Sequence, residues 1–486
     1  MRNNFKKALP RTPSVPTVFL PGWGFDGRII RLIQPVPAWT YPRTMVDPAT
    51  LTGDLLSFVE QEQPGKIKLV GWSMGALLAL DFAGRYPELV DELILISLRQ
   101  DWPAAEIRQL HAELAKDPVL FMQDFYRKCF LGHREEGRTF SSTLARDYLD
   151  CLGPEKLDLL HRGLDYLGST GIRPAAGPKT LLVHGSRDII APYTEMAELS
   201  GAAREIVDKA GHLPFLSPTC SLVKNLRKEI IGRRFSKAAS SYDRYALVQK
   251  EAAGWLAARL PDGQDAARVR SILEIGCGTG NYTARLADRF PLASIRALDL
   301  SAGMIRTAAG KLRNHANIEL VCVDAEAYLD SHEKPCDLIT SNGTLQWFAD
   351  LDRGLENCRR LLQADGWLLA SIFGPESLKE LNSGLREALG GRVSVAAAEF
   401  PDRPSLLVRL AVFFSRTEIE EIRTFRKYKN THDLLRHIKK TGTGGWQQGG
   451  SFHFTKSDLA ALDRWFTDNA GGCRVSYQVF IVQCKR

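Results

Sequence analysis

A chain of 486 residues is longer than one hydrophobic core supports, so two domains of ordinary size are expected. Its 44% hydrophobic and 25% charged content excludes a largely disordered or fibrous protein, and nine cysteines without a CxxC pair argue against a disulfide framework or zinc site and for a reducing cytoplasm. The net charge of +8 permits an acidic partner without selecting one. No apolar run nears the roughly 18 residues that span a bilayer, and no metal, membrane or nucleic-acid partner is expected.

In chain order, TVFLPGWGFDG, KIKLVGWSMGALLALDFAGRYP and VDELILIS alternate strand-like with helix-like stretches, the pattern of a mainly parallel sheet covered by helices. From about Asp101 to Gly171 amphipathic helices such as LLHRGLDYL predominate, which reads as a helical cap inserted into the sheet. The sheet resumes at KTLLVHGSRD, and the half closes on the helix-like TCSLVKNLRKEI. Lys224 to Lys237, with six basic residues, one Glu and Gly232, is the most economical boundary. The expected domains are 1–232 and 233–486. Beyond it a second α/β pattern starts afresh with SILEIGCGTG, SIRALDLS, IELVCVDAE, CDLITSNGTLQWF, GWLLASIF and VSYQVFIVQC.

In the first half, Gly71-Trp72-Ser73-Met74-Gly75 follows a strand and opens a helix, the setting of a nucleophile elbow whose small flanking residues permit a strained turn. Asp188 follows a strand in LLVHGSRDIIAP, and His212 lies in a loop, KAGHLPFLSP, before the last helix. Singly, such residues are more often a helix cap and a structural histidine. The chain order Ser, Asp, His is that of α/β-hydrolases. In that reading His212 removes the Ser73 proton, Asp188 fixes the imidazole tautomer, and the backbone N–H groups of Met74 and Trp23 form the oxyanion hole.

LPGWGFDG, GWSMG, HRGLDYL, SRD and GHLPF together resemble the pimeloyl-acyl-carrier-protein methyl ester esterases of biotin synthesis, over most of Val15 to Leu226. The resemblance implies hydrolysis of a methyl ester on an acyl carrier protein. That partner is acidic, so Arg127, Lys128, Arg134 and Arg138 on the cap are candidate docking residues, against the alternative of a solvated face.

In the second half, Glu274-Ile275-Gly276-Cys277-Gly278-Thr279-Gly280 is a strand running into a glycine turn, where the backbone approaches a nucleoside closely and Glu274 accepts hydrogen bonds near its amino-acid end. Asp299, about 20 residues on, is placed for two ribose hydroxyls, and Asp324, ending the third strand, for an adenine amino group. With SNGTLQWF these resemble the Rossmann-like class I methyltransferases, which implies S-adenosylmethionine as cofactor. FSKAASSYDRYALVQ, FGPESLKEL, LLRHIKKTG and YQVFIVQC narrow the resemblance to the malonyl-acyl-carrier-protein O-methyltransferases, over nearly all of Phe235 to Lys485.

This implies methylation of the free carboxylate of malonyl on its carrier, a reaction needing no general base because a carboxylate is already ionised at neutral pH. The helix carrying Tyr242 is either a cover over that pocket or a plain amphipathic helix. One half then adds a methyl ester and the other removes one. Two rival readings stand beside this: a catalytically silent hydrolase-fold docking domain, and a methyltransferase and esterase pair acting on another carboxylate.

Overall fold

The computed structural model describes residues 5–6, 15–62, 65–150, 152–173, 177–391, 393–444 and 454–486. The chain divides into two compact units, Met1–Leu226 and Arg227–Arg486.

The first unit holds β1 (Phe5–Lys6), β2 (Thr17–Leu20), β3 (Tyr41–Pro42), α1 (Leu51–Glu62), β4 (Ile67–Trp72), α2 (Met74–Arg85) and β5 (Val90–Ile96). The cap follows as α3 (Ala104–Lys116), α4 (Pro118–Cys129), α5 (Arg134–Thr143), α6 (Ala145–Leu149) and α7 (Pro154–Ser169), and the sheet closes with β6 (Lys179–Gly185) and β7 (Ala203–Val207). The main sheet has the order β2-β4-β5-β6-β7 with every pair parallel. Its strands read as near-continuous apolar runs because helices cover both faces; Phe19, Leu69, Val70, Leu93 and Leu95 are fully buried. The parallel sheet and the cap agree with the sequence reading.

The expected boundary at 232 falls inside α8 (Ser221–Tyr245), one continuous helix. A single glycine weakens a helix by about 1 kcal/mol without ending it, and Gly232 is buried where a Cβ would meet Leu300 at 3.3 Å.

The second unit continues with α9 (Leu247–Ala257), α10 (Gly263–Arg268), β8 (Ser271–Ile275), α11 (Asn281–Arg289), β9 (Ser294–Asp299), α12 (Ala302–Leu312), β10 (Ile318–Cys322), α13 (Ala325–Ser331), β11 (Cys336–Asn342), α14 (Leu351–Leu361) and β12 (Leu362–Phe373). It ends with α15 (Lys379–Leu389), α16 (Arg403–Phe413), β13 (Arg416–Lys427), α17 (Thr431–Thr441), α18 (Lys456–Ala470) and β14 (Arg474–Lys485). The strand order is β10-β9-β8-β11-β12-β14-β13, antiparallel only where β14 meets β12 and β13. Consecutive connections run outward from β8 on one side and from β11 on the other, so the strand order reverses between them. A ligand crevice is expected at the carboxyl ends there.

Candidate active sites

In the first unit the geometry of Ser73 is dictated by its glycines. Ser73 has φ +55° and ψ −120°, a conformation that L-residues avoid. A Cβ on Gly71 would lie 2.3 Å from the Gly75 carbonyl oxygen, and one on Gly75 would lie 2.3 Å from that of Leu20. The turn therefore closes only with glycine at both places. Its other end is fixed by the Ser73 N–H donating to the Ile96 carbonyl at 2.7 Å.

His212 Nε2 stands 3.1 Å from Ser73 Oγ, and His212 Nδ1 stands 2.8 Å from Asp188 Oδ2. The other Asp188 oxygen accepts from the N–H groups of Ile190 and Ala191, each at 2.9 Å. Burial of Asp188 works against its charge, yet His212 and the Ala191 N–H hold the carboxyl below its usual range. The three residues expected from the sequence are thus brought into one relay.

Three supports escaped sequence reasoning. The Trp72 indole donates to the His212 carbonyl at 2.7 Å and the Ser97 hydroxyl does so at 3.2 Å. His184 donates from Nε2 to the Ala191 carbonyl at 2.7 Å, and burial holds its ring below the usual histidine pKa, so it stays neutral beside Asp188. Trp72 adjoins the nucleophile and was findable by position; Ser97 and His184 carry no local signal. Met74 opens α2, so its N–H is one of the helix's unsatisfied donors. Gly22 brings the Trp23 turn against the serine: a Cβ there would lie 3.2 Å from Ser73 Cβ. On the cap, Arg127 and Lys128 are both paired with Asp124, so their charges are partly neutralised.

In the second unit, Gly276, Gly278, Asp299 and Asp324 line one cavity of about 760 Å³. Gly276 (φ +76°) is obligatory, since a Cβ would lie 1.9 Å from Thr344 Oγ1, whereas Gly278 (φ +55°) faces open space. Asp299 accepts from the N–H groups of Gly278 and Ser301, each at 2.8 Å, and burial pushes its carboxyl up to about 6 against those two bonds. Asp324 caps α13 by accepting from Glu326 N–H at 3.0 Å and is ion-paired with Lys228 at 2.7 Å.

Two residues differ from expectation. Gly280 does not line the cavity: a Cβ there would meet Leu312 of α12 at 2.8 Å, so this glycine serves packing. Glu274 is fully buried and also absent from the cavity wall, with neither carboxylate oxygen hydrogen-bonded among the described residues. Burial, offset in part by the nearby Thr283 hydroxyl and reinforced by Asp299, raises its carboxyl to about 8, so it is largely protonated at neutral pH.

Tyr242, on the helix that the sequence offered as a cover, lines the cavity. Phe235, Trp347 and Phe400, which the sequence did not single out, complete an aromatic wall, with Phe235 and Trp347 edge to face at 6.2 Å and Trp347 and Phe400 at 5.0 Å. The Gln346 amide donates to the Gly343 carbonyl at 2.7 Å, but its buried oxygen has no partner among the described residues. Arg234 lines the cavity half-buried and, among the described residues, is paired with no carboxylate, whereas the neighbouring Lys228 is paired with both Asp324 and Glu326. Burial and the adjacent Arg233 lower the Arg234 pKa. Among the described residues no cluster of His, Cys, Asp or Glu could hold a metal ion, and no helix is long and apolar enough to cross a membrane.

Residues 16–223 match the alpha/beta hydrolase family and residues 272–366 match a methyltransferase domain. The malonyl-[acyl-carrier protein] O-methyltransferase of Bacillus cereus is 31% identical over 263 residues, covering 53% of this chain and 97% of that protein. Its namesake from Brevibacillus brevis is 32% identical over 273 residues, covering 53% and 96%. The biotin biosynthesis bifunctional protein BioHC of Teredinibacter turnerae is 27% identical over 447 residues, covering 79% of this chain and 77% of that protein. Similarity to the single-function relatives accounts for about half the chain, and similarity to the bifunctional one runs through both units. With an α/β hydrolase family unit at its front, the chain belongs to the malonyl-[acyl-carrier protein] O-methyltransferase family.

Proposed function

We propose that this chain is a cytoplasmic bifunctional enzyme of biotin synthesis that methylates the free carboxylate of malonyl-acyl carrier protein and hydrolyses pimeloyl-acyl-carrier-protein methyl ester. The observation that carries the reading is the presence in one chain of a Ser73-His212-Asp188 relay and a glycine-floored cavity lined by Arg234, which is paired with no carboxylate among the described residues, alongside similarity to a bifunctional relative across both units.

The cavity fits S-adenosylmethionine. Gly278 leaves its floor open to a close ligand, and Gln346 offers a buried oxygen without a partner. Gly276, Gly278, Asp299 and Asp324 are the residues that would hold the cofactor. When bound, it supplies a methyl group on a positively charged sulfur. Around it the chain's own residues do three things. The aromatic wall excludes water, which strengthens attraction between the sulfonium and an incoming carboxylate. Arg234 offers the substrate a positive charge. The remaining walls align the reactants, the largest contribution available to a reaction with no proton to move.

In the first unit, Ser73 Oγ attacks the ester carbonyl while His212 Nε2 takes its proton. The oxyanion is met by the Met74 and Trp23 N–H groups. His212 then returns the proton to departing methanol, and water releases the free acid from Ser73 by the same steps in reverse. Methylation hides a charge that costs several kcal/mol to bury in an apolar tunnel, and hydrolysis restores it once the chain is long enough. The esterase must therefore spare the short ester. The cap is expected to admit the carbonyl to Ser73 only from a longer acyl chain.

A fluorophosphonate probe should label the intact protein and not Ser73→Ala, while both retain methyl transfer. Absence of labelling would leave the hydrolase half silent, and equal hydrolysis of malonyl and pimeloyl methyl esters would remove the length selection.

A further inference from the structure

The two sides of the oxyanion hole are held by different parts of the first unit. Ser73 and Met74 are set by the sheet, through the Ile96 carbonyl and the glycine contacts of the elbow. The loop carrying Trp23 is gripped instead by the cap. The Trp23 indole donates to the Leu160 carbonyl of α7 at 2.8 Å, the Tyr126 hydroxyl of α4 donates to the Gly24 carbonyl at 2.9 Å, and the Tyr148 hydroxyl of α6 donates to Asp26 at 2.9 Å. All three bonds are buried and link residues more than 100 positions apart.

Gly163, inside α7, gives this arrangement its sharpest constraint. A Cβ there would lie 2.5 Å from Trp23 Cδ1 and 3.3 Å from Met74 Sδ. The indole has little freedom to swing away, because Phe125 packs against it at 5.0 Å between ring centroids and its indole N–H is committed to Leu160. Glycine within a helix is unfavourable, and here its lack of a side chain is what lets α7 lie against Trp23 and Met74 together.

We propose that the cap sets the oxyanion hole: α7, through Leu160 and the bare backbone of Gly163, and α4, through Tyr126, hold the Trp23 backbone N–H at the place where the negative charge develops. Gly163 and Tyr126 are positioning residues, and a substrate or carrier that shifts the cap shifts the donor with it. The proposal rests on the reading of Ser73 as an esterase nucleophile.

The test is steady-state hydrolysis of p-nitrophenyl butyrate by the full chain, with the affinity of a trifluoromethyl ketone that forms a tetrahedral adduct on serine. Gly163→Ala should lower kcat by about 10- to 100-fold with KM nearly unchanged, because a displaced donor is lost mainly in the transition state. Ketone affinity should fall in proportion. Tyr126→Phe, which deletes one hydroxyl and keeps the ring, should lower kcat in the same sense by a smaller factor. Gly168→Ala, in the same helix α7, is the control, since its Cβ would crowd Ile107 of α3 at 3.0 Å instead of Trp23, and it should leave kcat and ketone affinity near wild type. Wild-type kcat in both Gly163→Ala and Tyr126→Phe, or an equal loss in Gly168→Ala, overturns the proposal. A wild-type chain that hydrolyses no ester and is not labelled at Ser73 removes the esterase reading and this inference with it.

Discussion

Lys228 Nζ lies 2.7 Å from Asp324, so the carboxylate proposed to receive an adenine amino group is already half of an ion pair. Lys228 reaches Glu326 as well, at 2.8 Å. Burial works against the ammonium, but the bonds to Asp324 and Glu326 win and raise its pKa. Lys228→Met leaves two carboxylates facing each other in the cavity wall. It should cost about 1–3 kcal/mol of stability, below the range for a fully buried pair, and weaken S-adenosylhomocysteine binding several-fold. Calorimetric titration and thermal melts check both, and adding Asp324→Asn should recover part of the stability loss.

Asp188→Asn should reduce ester hydrolysis by about 10³- to 10⁴-fold, because the amide favours the wrong imidazole tautomer. Since His212 and the Ala191 N–H hold the Asp188 carboxyl below its usual range, its ionised form contributes stability above the unfolded carboxyl pKa. That contribution is lost as pH falls through the lower folded value. Melts below pH 4 should therefore separate Asp188→Asn from wild type less than melts at neutral pH do.

Glu274 has the opposite sign. With its folded pKa near 8 it binds a proton that the unfolded chain releases at about 4.5, so it costs stability increasingly as pH rises between those values. Glu274→Gln, which keeps the shape and removes the titration, should melt several degrees higher than wild type at pH 8. The difference should shrink toward pH 5. An unchanged melting point at both would contradict the buried-acid account.

Arg234→Ala should raise KM for malonyl-carrier about tenfold, the scale of one lost charge-assisted hydrogen bond, while leaving S-adenosylhomocysteine affinity unchanged. A loss confined to S-adenosylhomocysteine would assign the guanidinium to the cofactor instead.

The serine relay was legible because hard sterics write it into adjacent residues: only glycine fits at 71 and 75, and the fold delivers Asp188 and His212 in the loops that follow β6 and β7. The glycine cradle was legible for the same reason, but only in part. Gly276 and Gly280 both have positive φ, and nothing local distinguishes the one that lines the cavity from the one packed on α12. Arg234 and Gln346 acquire meaning only from what does not pair with them in three dimensions. Strand β13, RTEIEEIRTFRK, escapes a sequence reading because an edge strand exposed along much of its length carries seven charges in twelve residues and lacks an apolar signature. Gly232 looked like a break and proved to be a helical residue for want of any second turn signal beside it.

The central claim is that one chain makes a short methyl ester and cleaves a long one. The most direct measurement incubates the intact protein with S-adenosylmethionine and malonyl-acyl carrier protein, and separately with pimeloyl-acyl-carrier-protein methyl ester, and weighs the acyl group by mass spectrometry. The account predicts gain of one methyl on malonyl that persists, and loss of one methyl from pimeloyl that Ser73→Ala abolishes. Malonyl left unmethylated, or a malonyl ester cleaved as fast as the pimeloyl ester, would contradict it.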